Sequence, residues 1–263
     1  MLASLRNIPK IVMMLSAAHT ITDLSQGALL VALPYFKAKF GLSYAEVSAV
    51  VLVQNLTSSV IQPLFGYLSD RSSRAWMMPA GCFFAGIAML AAMWAPSYIF
   101  LLLCTIINGL CIAAFHPEAA KAANYVSGAS KGKGVSLFVV GGNAGFAIGS
   151  MFMAALIAAG AGNKLIWFIL PNIIMVYPLH LLARKLSGRT ECRTTAAGKT
   201  RATVSLPLLA LLGVVFIRAT VSSGVSAFIP LYYVSYLQGS ELYASKLLTV
   251  CLASAAIGTL FGG

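Results

Sequence analysis

Apolar runs of about twenty residues alternate along this chain with short polar turns. An α-helix rises about 1.5 Å per residue, so a run of that length crosses the roughly 30 Å hydrocarbon core of a bilayer. The pattern predicts eight membrane helices, over residues 11–36, 44–68, 76–95, 97–120, 135–160, 164–183, 206–234 and 245–263. Most connections are short, which keeps successive helices antiparallel and adjacent. The exception is 184–205, which is polar, basic and poor in large apolar side chains, the composition of a flexible linker. The expected organisation is a six-helix bundle (1–183), a linker (184–205) and the first two helices of a second bundle (206–263).

Displacing the chain by 197 positions lays Ser25 on Ser222, Gly27 on Gly224, Tyr35 on Tyr232 and Gly66 on Gly263. The two stretches share one hydropathy pattern, a long apolar run, a polar turn and a second run. Repeats of this kind are characteristic of secondary transporters, whose halves rock about a central site. On this reading the first half is complete and the second is cut off.

Composition narrows the class. Of 263 residues, 59% are hydrophobic and 9% charged, with a mean hydropathy of +0.88. Soluble domains carry about 25% charged residues, so an all-α integral membrane protein is expected. The net charge of +12 follows from topology. Of eighteen Lys and Arg, Lys37, Lys39, Lys164 and Lys246 fall on one side, Arg218 falls within a span, and the remaining thirteen fall on the other side. That bias predicts a cytoplasmic N-terminus and makes a nucleic-acid partner unnecessary. Residues 1–10 carry two cations, but the apolar run beyond them continues to membrane length, so the first span reads as a retained helix rather than a cleaved signal. The five cysteines are scattered, without C-x-x-C or metal-ligand spacing, and read as small apolar residues.

Between the second and third spans, Gly66-x-x-x-Asp70-Arg71-x-x-Arg74 places a small residue for close helix approach, an acid at a helix end and two cations. That order suits a cytoplasmic latch that breaks when the halves rock; an ordinary basic turn is the plainer alternative. The loop, the six spans and the basic linker together resemble the major facilitator superfamily. More narrowly, the chain resembles the fosmidomycin resistance protein family of efflux transporters. The carrying stretches are Ala18-His19-Thr20-Ile21-Thr22-Asp23, Ile61-Gln62-Pro63-Leu64-Phe65-Gly66-Tyr67, Phe115-His116-Pro117-Glu118 and Val140-Gly141-Gly142-Asn143-Ala144-Gly145. The resemblance implies a twelve-helix transporter of a bacterial cytoplasmic membrane, monomeric when complete, of which about eight helices are present. It also implies proton-coupled efflux of a small organic compound. The chain departs from the superfamily patterns at Ser73, where the loop usually has glycine, and at Ser150, where the antiporter motif usually has proline. Ser150 leaves room for uptake by symport, and the missing helices leave room for a fragment that transports nothing.

Charges at mid-bilayer cost roughly 2.5–3.5 kcal/mol on insertion scales, so those that occur face a cavity or a partner. His19 and Asp23, spaced i, i+4, share one face of the first helix, about 12–18 Å deep. Arg218 lies at a similar depth in the seventh span, opposite Ile21 by the repeat offset. The expected centre has Asp23 as the protonatable carboxylate, His19 tuning it and Arg218 attracting an anionic group such as a phosphonate. A static buried ion pair is the alternative. His116 and Glu118 are expected near the cytoplasmic surface, with Lys121 within reach of Glu118, forming a gate with Asp70, Arg71 and Arg74. No third ligand stands at helical spacing from the His116–Glu118 pair, so no metal is expected. In the fifth span Gly141, Gly145 and Gly149 form a small-residue face. The resemblance implies that this face meets the eighth helix across the two halves, although close packing alone explains it equally well. Asn143, set among these glycines, is a candidate substrate contact or a packing residue. No cofactor, nucleotide loop or nucleophile–base pair is evident, so an enzyme is not expected. The ion gradient would drive transport.

Overall fold

The computed structural model describes residues 10–71, 74–160, 162–190 and 205–262, and these residues form helices and turns without a strand. Among the described residues nine α-helices run in order: α1 (Lys10–Phe40), α2 (Tyr44–Asn55), α3 (Gln62–Arg71), α4 (Met77–Met93), α5 (Tyr98–Val126), α6 (Lys131–Ala158), α7 (Leu170–Thr190), α8 (Leu206–Ser235) and α9 (Glu241–Gly262). The eight expected spans are all present as helical segments. The second is α2 and α3 joined by a π-helical turn, Leu56–Val60. Pro63 explains the join, because its ring cannot coexist with an α-helical carbonyl at Ser59, so the helix widens ahead of it. The sixth span begins later than expected, since Gly162–Phe168 forms a 3-10 segment before α7. Most of the expected linker, 191–204, lies outside the described residues, and 184–190 continue α7.

Among the described residues five helical segments are long and apolar enough to cross a membrane: Tyr44–Arg71, Tyr98–Val126, Lys131–Ala158, Gly162–Leu186 and Leu209–Ser235. Met77–Met93 and Leu242–Ala255 are apolar but shorter. α1 has the length, at 31 residues, but carries His19, Thr20, Thr22, Asp23, Ser25 and Gln26 through its middle. A helix that polar does not face lipid. Its buried residues run almost continuously from Thr22 to Pro34, so it stands inside the bundle.

What admits α1 is α6. A Cβ at Gly141 would overlap the Ser16 carbonyl, one at Gly145 the Thr20 carbonyl, and one at Gly149 the Leu24 carbonyl. The glycine face therefore packs along α1, inside the same half of the molecule. This corrects the expectation that it meets the eighth helix. α9 meets α6 elsewhere, where Thr249 Oγ1 lies 3.1 Å from Ser150 Oγ. Backbones this close let side-chain hydroxyls reach the facing carbonyls: Ser16 Oγ donates to Leu137 O at 2.8 Å and Thr20 Oγ1 to Gly141 O at 2.8 Å. In lipid such bonds hold helices together where apolar burial drives little association.

Two apolar clusters fill the bundle. One joins α1 beyond Leu24 to Met89, Leu101, Met153, Phe168, Leu231 and Leu248. The other joins Leu15 and Ala18 to Met78, Phe115, Phe138 and Leu179. The polar middle of α1 lies between them.

Candidate functional site: an ionisable trio beside a polar cavity

His19 and Asp23 sit one helical turn apart on α1, and their side chains meet, Nε2 to Oδ2, at 3.1 Å. A third group joins them from α5. His116 Nε2 lies 3.4 Å from Asp23 Oδ1. All three are well enclosed, with Asp23 only 3% exposed and His19 8%. Gly142 makes the room, since a methyl there would stand 2.6 Å from His19 Nε2 and 3.0 Å from Asp23 Oδ2.

His19 Nδ1 lies 2.7 Å from the Phe138 carbonyl. A backbone carbonyl only accepts, so Nδ1 carries a proton and donates it. The Phe138 ring stacks on the imidazole at 4.1 Å and fixes its plane. Nε2 is left pointing at a carboxylate. Without a further proton, two acceptors would oppose each other at 3.1 Å. The pair therefore holds one shared proton, as imidazolium–carboxylate or as imidazole–carboxylic acid. The ligand atoms of His19, Asp23 and His116 all lie within 4.8 Å of one another, close enough for a metal ion as well as a proton. Sequence spacing missed this trio because its members come from two helices.

Three expectations change here. His116 does not join Glu118. Residues two apart on a helix point in nearly opposite directions, so His116 faces Asp23 while Glu118 faces α3. Glu118 does not pair directly with Lys121 either. Ser69 Oγ donates to Glu118 Oε1 across a very short contact, and Lys121 Nζ donates to Ser69 Oγ at 2.6 Å and meets Asp70 Oδ1 at 2.9 Å. Ser69, which the motif reading passed over, is the hub of this α3–α5 junction. Its only sequence signal is that it precedes Asp70. Gly66 packs loosely against Pro117, 3.9 Å from where its Cβ would be. Arg71 lies over the Tyr67 ring at 4.2 Å, and Arg74 is half-buried at the turn. Finally, Arg218 is not ion-paired with Asp23. It is exposed on α8.

Next to the trio a cavity opens between α1, α2, α6, α8 and α9. Its polar lining comprises Gln26, Gln54, Asn55, Asn143, Ser222, Ser223 and Ser226. Among the described residues no charged side chain lines it. Asn143 is thus placed at the cavity, and Arg218 stands one turn along α8 from Ser222. Gln26 was not foreseen. It lines the cavity and its Nε2 donates to Asp23 Oδ1 at 3.2 Å, joining cavity and trio.

Known proteins resemble the chain as a whole. It is 30% identical over 260 residues to the fosmidomycin resistance protein of Escherichia coli (strain K12), covering 95% of this chain and 63% of that protein. It is 27% identical to YfnC, an uncharacterized MFS-type transporter of Bacillus subtilis (strain 168), covering 73% of this chain and 47% of the relative. The chain thus spans about half to three-fifths of these relatives' length. Among solved structures, a bacterial homologue of the human lysosomal transporter Spinster, inward-facing and unoccupied, superposes with a TM-score of 0.67 at 17% identity, over 96% of this chain and 61% of that one. A bacterial homologue of the human peptide transporters PepT1 and PepT2 superposes with a TM-score of 0.51 at 15% identity, over 95% of this chain and 54% of that one. Both share the fold. The Major Facilitator Superfamily model matches residues 15–263. This multi-pass membrane chain belongs to the Major Facilitator Superfamily.

Proposed function

We propose that the protein carrying this chain is a secondary active transporter that exchanges protons for a small anionic organic compound of the fosmidomycin type. It would export that compound across the bacterial cytoplasmic membrane, with the N-terminus cytoplasmic. The observation that carries the reading is the His19–Asp23 pair, 3.1 Å apart and buried beside a polar cavity, a geometry that calls for a proton between them. Asp23 is the coupling carboxylate. His19 holds the shared proton and His116 is its second partner. Arg218 draws an anionic group toward the cavity, where Asn143 and the α8 serines contact the remainder. The Asp70–Lys121–Ser69–Glu118 network, with Gly66, Arg71 and Arg74 at its edge, closes the cytoplasmic end. The partners are small molecule, protons and lipid. The organisation expected from sequence, two bundles separated by a linker at 184–205 whose first residues continue α7, is the frame for the rocking that exchange requires.

Reconstituting the full-length protein tests the proposal. A proton gradient should drive fosmidomycin into inverted vesicles, and Asp23→Asn should reduce that flux at least tenfold. Undiminished flux in the variant removes Asp23 from the mechanism. Ser150 supports a second reading, uptake by symport. Where the antiporter pattern has proline, its hydroxyl bonds both the Ala147 carbonyl and Thr249. Counterflow in right-side-out and inverted vesicles separates the directions.

A further inference from the structure

We infer that Gln26 makes occupancy of the central cavity answer to protonation of Asp23, and that the α1–α2 wall of this cavity binds a ligand through hydrogen-bond donors such as a hydroxyl or N–OH group. The inference rests on the exchange reading above and specifies its ligand chemistry.

Hydrogen-bond direction fixes what the wall offers. Asn108 Nδ2 lies 2.8 Å from the Ala85 carbonyl, which can only accept. Asn108 therefore turns its Oδ1 toward Gln54, and Gln54 meets it with Nε2 at 2.9 Å. Gln54 Oε1 is left as a buried acceptor without a partner, on a residue that lines the cavity. A buried acceptor of that kind costs stability until a donor reaches it. Gln26 repeats the arrangement on α1. An ionised carboxylate accepts only, so Gln26 gives Nε2 to Asp23 Oδ1 and has Oε1 left for the cavity. With Asp23 ionised, both glutamines present acceptors, and the group that fits them is a donor.

Protonation reverses one of them. His19 Nε2 already faces Asp23 Oδ2 and His116 Nε2, carrying its proton, faces Oδ1, so in the acid form the proton on Oδ1 is directed at Gln26. Oδ1 then donates. Gln26 must turn its amide to accept with Oε1, which points Nε2 into the cavity. The bound donor loses its acceptor and meets another donor, so proton and ligand compete. His19 and His116 are the titratable groups in contact with Asp23. Among the described residues α6 offers Gly142, Gly145 and the Phe138 carbonyl there, and Arg218 on α8 is exposed.

The test measures binding to the full-length protein in nanodiscs between pH 5 and 8. The probes are a radiolabelled N-hydroxyamino phosphonate and its N-methoxy ether, which lacks the donor. The wild type should bind the N-hydroxy compound about tenfold tighter than the ether, and lose that affinity on acidification. Gln54→Leu should narrow the discrimination, because Gln26 alone then accepts, and Gln26→Leu should flatten the pH dependence to under twofold. Equal binding of both probes, or an unchanged pH profile in Gln26→Leu, overturns the inference. If the wild type binds neither probe, the exchange reading itself falls. Acid-induced infrared difference spectra then judge Gln26 separately. A shift of its side-chain amide carbonyl, coincident with the carboxylic band of Asp23 and absent from Gln26→Leu, supports the coupling, and no shift overturns it.

Discussion

Gln26 and Ser223 stand 197 positions apart and line one cavity, and the pairs Leu29–Ser226 and Asn55–Leu252, at the same displacement, line it too. A weak repeat in hydropathy thus becomes a shared wall. Two related helix sets facing each other across a site present equivalent positions to it, the arrangement that the proposed exchange requires.

Removing His19 should leave Asp23 buried with a weakened partner set. Losing one member of a buried pair costs about 3–5 kcal/mol, most of it from the stranded charge. His19→Ala should therefore lower the thermal midpoint of the detergent-solubilised protein substantially. Adding Asp23→Asn should recover most of the loss, because no charge then remains to strand. A double variant no more stable than His19→Ala would show that His19 acts through packing on Phe138 instead.

Gly145→Ala should be far more damaging than an alanine at Gly132, where a Cβ has open space. The new methyl would overlap the Thr20 carbonyl and press on Asp23 Cβ, forcing α6 off α1. Overpacking of this kind costs about 1–3 kcal/mol, and the displacement would reach the trio directly. Thermal denaturation monitored by helicity, compared between the two variants, checks it. Equal midpoints would place the α1–α6 contact wrongly.

The Asp70–Lys121 pair should matter little to stability. Both side chains are substantially exposed, at 72% and 40%, and such pairs contribute about 0–1 kcal/mol. Asp70→Asn should leave the thermal midpoint within a few degrees of wild type while slowing transport, if the junction acts as a latch. A large fall in midpoint would make it a structural brace.

Ser69→Ala offers a sharper probe of the same junction. It removes the hydroxyl that links Glu118 to Lys121, leaving a carboxylate only 6% exposed without its donor. The expected loss is about 1–3 kcal/mol, larger than for Asp70→Asn. The order of the two midpoints decides whether burial or net charge governs this end of the bundle.

The sequence by itself determined the helices, their order and the class of protein. Length and hydropathy suffice for that, because lipid penalises every unpaired backbone group and admits few alternatives to a helix. It also determined that His19 and Asp23 share a face, since i, i+4 spacing is a local property of one helix. Tertiary structure alone decided the rest. It brought His116 to Asp23 rather than to Glu118, turned the α6 glycines onto α1, gave Glu118 to Ser69 and held Arg218 away from the carboxylate. Each of those outcomes depends on how far one helix is rotated and shifted against another. Periodicity along a chain carries the angle between residues of one helix, and it does not carry the angle between helices. Gln26 shows the limit most plainly. In sequence it is one polar residue on a polar stretch, and only the packing of α1 against α2, α6 and α8 sets it between a buried carboxylate and an open cavity.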